Sequence, residues 1–140
     1  MQGVRLGKFG PEPTYTRLTS TMGEHSMQIT RFADAPAYEA PNHFDCKSMR
    51  LAGFTDDGPK EFWVGCSHFL PGGGAGPDSS PMEKVYVFLA GELTINVDGK
   101  THKAGPMDSV TIPAGEVRTI VNEGNDIVTM VVAMPYPPKS

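Results

Sequence analysis

Turn-forming residues interrupt this sequence at short, regular intervals, and this spacing constrains the fold more than any other feature. The apolar stretches are brief, and dipeptides such as Asp57-Gly58, Asp98-Gly99 and Gly124-Asn125 stand between them. Such dipeptides supply the positive φ angles that tight hairpin turns require. No window holds apolar residues at helical spacing without an intervening glycine or proline, so no helix of useful length is predicted. The pattern indicates an all-β chain of short antiparallel strands.

The strand-like segments are concentrated in the carboxyl-terminal two thirds of the chain. In order, they are Ser48–Phe54, Glu61–Leu70, Lys84–Leu89, Leu93–Val97, Ser109–Ile112, Val117–Val121 and Ile127–Met134. Prolines and polar residues break any periodicity before them, so residues 1–47 are predicted to be an extended arm with one or two short strands, for example Ser26–Phe32. The 140 residues suit one compact domain, and we expect a barrel over residues 48–140.

Charge and composition exclude several classes of function. The formal net charge is -4, from sixteen acidic residues against twelve Lys and Arg, which gives no field to concentrate polyanions such as nucleic acids. No stretch has the apolar length of a secretory signal or a membrane span, so a cytoplasmic protein without membrane partners is expected. Cys46 and Cys66 have no metal or redox spacing, and we interpret both as buried or half-buried free thiols.

A segment bounded by glycines runs from Gly72 to Gly91, with Asp78, Ser80 and Lys84 between them. Its spacing resembles the first motif of the cupin superfamily, G-x5-H-x-H-x3-E-x6-G, without a gap. Both glycines of the motif are present. Asp78 and Ser80 stand where the family has its two histidines, and Lys84 stands where it has glutamate.

A second segment, residues 107–122, resembles the second motif of the same family, G-x5-P-x-G-x2-H-x3-N. Pro113, Gly115 and Asn122 match the motif in register. Arg118 stands at the position of the fourth metal ligand, and Met107 replaces a glycine. The two motifs occur in the family's order, and the resemblance covers about residues 61–134.

The resemblance implies the cupin double-stranded β-helix, a jelly-roll barrel, here with an extended N-terminal arm. Typical members hold a divalent Fe, Mn, Ni or Zn ion inside the barrel with three histidines and a glutamate. In this chain Lys84 and Arg118 would bring positive charge to that position, and Ser80 is a weak ligand. A lone Asp78 carboxylate does not make a metal site, so we expect no metal and no other cofactor.

The same motif positions predict a different kind of pocket. Strand residues alternate between faces, so an inward Lys84 places Tyr86 and Phe88 inward as well. We interpret Lys84 and Tyr86 as candidate catalytic residues. The candidate substrate-binding residues are Asp78, Ser80, Phe88 and Arg118. Burial and the nearby Arg118 should lower the pKa of Lys84, whereas Asp78 should oppose the shift.

The sequence leaves two points open. A slip of one residue would turn Glu83 inward in place of Lys84. Either Trp63 and Phe69 or the opposite face of that strand, which carries His68, lines the pocket. His43, His68 and His102 are not at metal-ligand spacing, and His68 is expected to pack while His102 is expected to be solvated.

The function that best suits such a pocket is that of a metal-independent lyase, isomerase or decarboxylase. Its substrate would be a small acidic metabolite, aromatic or not, held through its carboxylate by Arg118. The alternative is a non-catalytic cupin that binds a small molecule as a sensor or carrier. Two further readings remain: a structural plug in which Asp78 pairs with Lys84 or Arg118, and a metal-dependent cupin with unfamiliar ligands.

The strand predicted at Lys84–Leu89 is apolar on its outer face as well. Val85, Val87 and Leu89 form this outer stripe, and an apolar stripe on both faces indicates that the outer face is covered. Small cupins commonly form homodimers through such a face, so a homodimer is the expected assembly, with the N-terminal arm as the alternative cover.

Overall fold

The computed structural model describes residues 26–138, which form nine strands and one 3₁₀ turn, Phe32–Asp34. The strands are β1 (Ala37–Tyr38), β2 (His43–Ala52), β3 (Phe62–Asp78), β4 (Lys84–Ala90), β5 (Leu93–Val97), β6 (Lys100–Ala104), β7 (Ser109–Ile112), β8 (Arg118–Val121) and β9 (Val128–Pro135). The all-β prediction is therefore confirmed. Within this part of the chain, no helix has the length and hydropathy needed to cross a membrane.

The strands form a nearly closed antiparallel barrel of two facing sheets that share β3. Residues 62–69 of β3 pair with β9, which continues through β4 to β7. Residues 74–78 of the same strand pair with β8, which continues through β5 to β6. β2 runs beside β3 along both sections, and β1 adds a short pairing at its edge. This arrangement is the predicted jelly-roll barrel.

The glycine-rich segment is part of a strand, which corrects the predicted end of Glu61–Leu70. β3 continues through residues 71–78 because its glycines let neighbouring backbones come close. A Cβ atom on Gly73 would collide with the carbonyl oxygen of Asp45 on β2, and one on Gly74 would collide with that of Ile120 on β8. Glycine in this segment therefore allows β3 to pass from one sheet to the other.

Only one of the three predicted tight turns has the expected geometry. Asp98 and Gly99 both have positive φ (52° and 74°) and join β5 to β6. Neither Gly58 nor Gly124 has positive φ, because both lie in longer loops. β6 itself was not predicted, since Lys100–Ala104 is almost entirely polar and exposed. Lysine-rich strands of this kind are typical of sheet edges.

The N-terminal segment differs from the prediction. Ser26–Phe32 is not a strand, because none of its residues pairs with a neighbouring strand and the segment ends in the 3₁₀ turn. The Phe32 ring packs edge-on against His68, with ring centroids 5.8 Å apart, on the outer face of β3. β2 begins at His43, ahead of position 48 where the barrel is predicted to begin. Residues 1–25 of the predicted arm lie outside the described residues.

Apolar side chains from both sheets fill the barrel interior. The fully buried ones include Phe69, Phe88, Leu93, Ile120, Val128 and Met130. Trp63 and Phe69 belong to this core, whereas His68 lies on the other face and contacts Thr129 (Nδ1 to Oγ1, 3.2 Å). The structure thus places the odd-numbered face of this section of β3 inward and confirms that His68 packs outside.

Asn122, which matches the second motif, connects β3 to the loop between β8 and β9 through side-chain hydrogen bonds. Its side-chain nitrogen donates to the carbonyl oxygens of Phe69 (3.0 Å) and Asp126 (2.7 Å). Its side-chain oxygen accepts from the backbone N–H of Gly124 at 3.0 Å. The residue is only 1% exposed, so water cannot replace these bonds.

We expect Asn122→Ala to lower the free energy of unfolding by about 3 kcal/mol, because it leaves buried backbone groups without partners. Urea denaturation followed by fluorescence measures this change. The matched control is Asn96→Ala, which removes an exposed amide that accepts one bond from Thr101 and should change stability by less than about 0.5 kcal/mol. Equal effects of the two substitutions would contradict a structural role for Asn122.

Candidate active site

β4 carries three of the predicted site residues on its inner face. Lys84 is 7% exposed, Tyr86 2% and Phe88 0%, while Glu83 is exposed. The alternation therefore has the predicted register, and the one-residue slip does not occur. Tyr86 and Phe88 contact each other edge to face, with ring centroids 6.4 Å apart. Phe88 forms the apolar floor beneath the polar residues.

Arg118 connects the facing sheets across the interior. It begins β8 and is 4% exposed. Its Nε donates to the Tyr86 hydroxyl on β4 at 2.9 Å. Its Nη1 lies 3.8 Å from Oδ2 of Asp78, which pairs with Arg118 in the strand register. The predicted ion pair of Asp78 therefore forms with Arg118.

The inward polar residues Asp78, Lys84, Tyr86 and Arg118 form a cluster whose charges do not balance. Lys84 and Arg118 are both buried, and Asp78 is the carboxylate that faces them. Within residues 26–138, Lys84 forms no ion pair, and Nη1 of Arg118 is buried without a hydrogen-bond partner. Buried donors are nearly always satisfied, so this nitrogen is well placed to bind an acceptor supplied by a ligand.

The pKa shifts follow from this imbalance. Burial lowers the pKa of Lys84 below its ordinary value, and the Arg118 charge lowers it further, whereas Asp78 opposes the shift. Burial raises the pKa of Tyr86, against the opposing effects of Arg118. The direction for Lys84 agrees with the sequence prediction. Its ammonium group is a stronger acid than that of a surface lysine.

Ser80 is more closely tied to its own loop than the prediction implies. Its hydroxyl donates to the carbonyl oxygen of Met82 (3.0 Å) and accepts from the Met82 N–H (3.2 Å). Its carbonyl oxygen accepts from the N–H of Gly115 at 2.7 Å. These bonds join the loops of the two motifs, and they give Ser80 a positioning role at the edge of the cluster.

His43 also belongs to the site, although its sequence position gave no indication of this. It lies at the start of β2, pairs with Ala75 of β3, and stacks on the Phe69 ring (centroids 6.1 Å apart, planes at 20°). Nδ1 lies 2.8 Å from the carbonyl oxygen of Pro41. Burial lowers the pKa of His43 despite the bond to Pro41, and the charges of Arg118 and Lys84 lower it further.

A cavity of about 560 Å³ adjoins His43. It is lined by residues 37–48, among them Tyr38, Cys46 and Ser48. β1 and β2 pair only through Ala37 with Met49 and Tyr38 with Ser48, and the intervening chain opens away from this pairing. Of the residues that line this cavity, His43 also contacts the core through Phe69.

A third cation, Arg50 on β2, was not predicted to have any role. Its guanidinium carbon lies 4.4 Å from the ring centroid of Tyr38, 4.0 Å from that of Phe54 and 5.2 Å from that of Trp63. Such stacking is favourable for arginine, and it holds the hairpin against the end of β3.

The donor set does not suit the metal ion of typical family members. The positions of the four ligands hold Asp78, Ser80, Lys84 and Arg118, of which two are buried cations. Among residues 26–138, no three His, Cys, Asp or Glu side chains lie close enough together to hold a metal ion. Both cysteines are free, with Cys66 buried and Cys46 half-buried, as predicted.

Comparisons with known proteins agree with this architecture. A family model described as "Cupin domain" matches residues 66–134. The protein "Beta-D-galactosidase Rv1717" of Mycobacterium tuberculosis (strain ATCC 25618 / H37Rv) is 40% identical over 111 residues, or 79% of this chain and 96% of that protein.

Two solved structures show the same fold. The polyketide cyclase RemF from Streptomyces resistomycificus is 24% identical with a TM-score of 0.71, over 81% of this chain and 83% of that chain. A Cupin 2 conserved barrel domain protein from Salinispora arenicola CNS-205 is 18% identical with a TM-score of 0.66, over 78% of this chain and 88% of that chain. At these identities the likeness shows the fold alone.

The strands of residues 26–138, with the two motif loops and the inward polar cluster, define a jelly-roll barrel. With the family match and the 40% identical relative, this chain belongs to the cupin family.

Proposed function

We propose that this chain is a metal-independent cupin that binds a small acidic metabolite inside its barrel and acts on it by proton transfer. The observation that carries the proposal is the buried Nη1 of Arg118, which has no hydrogen-bond partner and lies beside a second cation, Lys84. Among residues 26–138, Asp78 is the carboxylate that faces these two cations. An anionic ligand would supply both the missing charge and the missing acceptor.

Each polar residue has a role in this proposal. Arg118 holds the ligand carboxylate, since a guanidinium can meet both oxygens at once. Tyr86 accepts a hydrogen bond from Arg118 and keeps its own hydroxyl proton to donate to the ligand. Lys84, with its lowered pKa, is the proton donor. Asp78 keeps Arg118 in place, and Phe88 forms the floor.

The proposal predicts selective stabilisation by acids in a thermal-shift screen of small mono- and dicarboxylates. A ligand at a hundred times its Kd should stabilise the fold by about 2.7 kcal/mol, whereas the corresponding neutral amide should have no effect. The control variant is Arg31→Ala, which removes an exposed cation outside the barrel and should leave the response unchanged. If the amides stabilise the protein as much as the acids, the anionic-ligand proposal is wrong.

A non-catalytic sensor or carrier remains the alternative use of the same pocket. A stabilising acid incubated with the protein in D₂O and recovered unchanged, with no deuterium incorporated, would favour this alternative.

Hydrolysis of a β-D-galactoside is a second candidate function, favoured by the name of the 40% identical relative. Most glycoside hydrolases use two carboxylates that flank the scissile bond. Here Asp78 is the carboxylate that faces the cluster, so Lys84 would have to serve as the acid. Release of nitrophenol from an aryl β-D-galactoside, abolished by Asp78→Asn, would establish this activity in place of the first.

The expected homodimer stays a prediction. Val85 and Val87 are half-buried and Leu89 is 51% exposed on the outer face of β4, in the described residues. Light scattering coupled to size-exclusion chromatography measures the assembly directly.

A further inference from the structure

We infer that His43 is a general base that works opposite Lys84, and that the substrate is a 2-oxo acid with an acidic C–H bond beside its carbonyl group. This inference rests on the proposed function, since it requires a carboxylate on Arg118. It adds a second proton acceptor to the site, because Lys84 and Arg118 are both cations when protonated and the Asp78 carboxylate is paired with Arg118.

The position of His43 on β2 brings it into the site from a strand outside both motifs. Its partner Ala75 is fully buried and pairs in turn with Ile120, two residues along β8 from Arg118. Its ring stacks on Phe69, which fixes the plane of the imidazole. The ring also lines the cavity of the open hairpin.

The hydrogen bond to Pro41 selects the tautomer of His43. A backbone carbonyl oxygen only accepts, so Nδ1, 2.8 Å from that oxygen, carries the proton and donates it. Nε2 is then left with its lone pair, which is the form that a general base needs. A histidine oriented in this way resembles a base held by a third group in other proton-transfer sites.

The electrostatic surroundings keep His43 neutral at neutral pH. The titratable and charged groups of the cavity wall are Tyr38, Glu39, Asp45, Cys46 and Lys47. Those of the cluster are Asp78, Lys84 and Arg118, and these three are the charges that act on His43. Burial and the two cations lower its pKa, and only the Pro41 carbonyl and Asp78 act in the opposite direction. The base form therefore persists to below pH 6.5, the ordinary histidine value.

The proton transfer balances without any further reactant. Nε2 of His43 takes a proton from the carbon beside the 2-oxo group, and the C–H electron pair forms an enolate whose oxygen becomes negative. Arg118 and the Tyr86 hydroxyl stabilise this charge through hydrogen bonds. Return of a proton from His43 to the same carbon regenerates the acid, whereas donation from Lys84 to the enolate oxygen gives the enol tautomer. In the second case His43 passes its proton to water and Lys84 takes one from water before the next cycle.

Exchange of C3 hydrogens for deuterium tests this step without knowledge of the full reaction. The probes are 2-oxobutyrate and 2-oxoglutarate in D₂O, followed by ¹H NMR with the wild-type chain, His43→Gln and the control His68→Gln on the outer face of β3. We expect wild type and His68→Gln to exchange faster than the spontaneous rate, and His43→Gln to lose about 10²- to 10⁴-fold of that catalysis. The wild-type rate should fall only below pH 6.5, and this acid limb should vanish in His43→Gln.

Thermal shift with the same probes distinguishes a failure of the His43 role from a failure of the proposed anion site. His43→Gln should still be stabilised by the acids, since Arg118 remains. Binding by wild type without exchange, or equal exchange in wild type and His43→Gln, overturns the role of His43 while leaving the anionic pocket intact. Absence of stabilisation by any carboxylate in the wild-type screen overturns the proposed function itself.

Discussion

Lys84→Met is expected to make the protein more stable and functionally inactive. The substitution keeps an unbranched side chain, one atom shorter, but removes a buried ammonium group that forms no ion pair among residues 26–138. Replacing a poorly compensated buried ion by an apolar side chain is often stabilising, here by about 1–3 kcal/mol. Loss of the proton donor should reduce turnover by about 10²- to 10⁴-fold. Opposite changes in stability and activity are typical of functional residues.

The pH dependence of unfolding tests whether the Lys84 ammonium group causes the difference in stability between wild type and Lys84→Met. Because the pKa of Lys84 is lower in the folded chain than its ordinary value, the unfolded chain binds more protons between those two values. Wild-type stability should therefore gain a contribution from Lys84 as the pH rises through this window, up to about 10.4. Lys84→Met should lack that contribution.

Urea denaturation across this pH range, with Lys100→Met on the exposed edge strand β6 as control, measures the contribution. The control should change neither stability nor its pH dependence by more than about 0.5 kcal/mol. If Lys84→Met is less stable than wild type at neutral pH, then Lys84 is a structural residue of the barrel and its proposed role is wrong.

Arg118→Ala is expected to weaken binding of the stabilising acid by about 2–5 kcal/mol, or roughly 30-fold to several thousand-fold. The guanidinium of Arg118 can give a carboxylate two parallel hydrogen bonds next to Lys84. Arg118→Lys keeps the charge but not the fork, so it should also bind the acid more weakly than wild type. Isothermal titration calorimetry gives both affinities.

Arg118→Ala should lower the stability of the fold less than it lowers the affinity for the acid. The substitution frees the Tyr86 hydroxyl and Asp78 but also removes a buried charge with an unpartnered nitrogen. Because the Asp78 side chain is 28% exposed, water can solvate its freed carboxylate. We therefore expect the free energy of unfolding to fall by about 1–3 kcal/mol, the cost of leaving the buried Tyr86 hydroxyl without a partner. A variant that unfolds, with unchanged affinity in the fraction that remains folded, would show that Arg118 plugs the barrel and would contradict the anion site.

The sequence predicted the parts of the site that depend on local spacing. The interval from Lys84 to Gly91 identified the inward residue of β4, and alternation along the strand then identified Tyr86 and Phe88. Pro113 and Gly115 located the loop before Arg118 in the same way. These residues lie within one strand or one turn, so a local pattern is sufficient to place them.

The missed features depend on contacts between distant segments. His43 enters the site because β2 pairs with the glycine section of β3, and no period in residues 37–48 indicates that pairing. The strand character of residues 71–78 comes from close approach to β2 and β8, against the low strand propensity of glycine. β6 has no apolar face and forms only through the Asp98-Gly99 turn. In each case tertiary contacts override the local signal.

In the function that we propose, the barrel binds an acid through Arg118 and Lys84 without a metal ion. The most direct measurement is calorimetric titration of the stabilising acid into protein stripped with a chelator, repeated after addition of Fe²⁺, Mn²⁺, Ni²⁺ or Zn²⁺. We predict the same affinity in every case, because the charge that holds the acid belongs to the side chains of Arg118 and Lys84. Binding that disappears on chelation and returns with one of these metals would show that the acid is held by a metal ion, and the proposed function would be wrong.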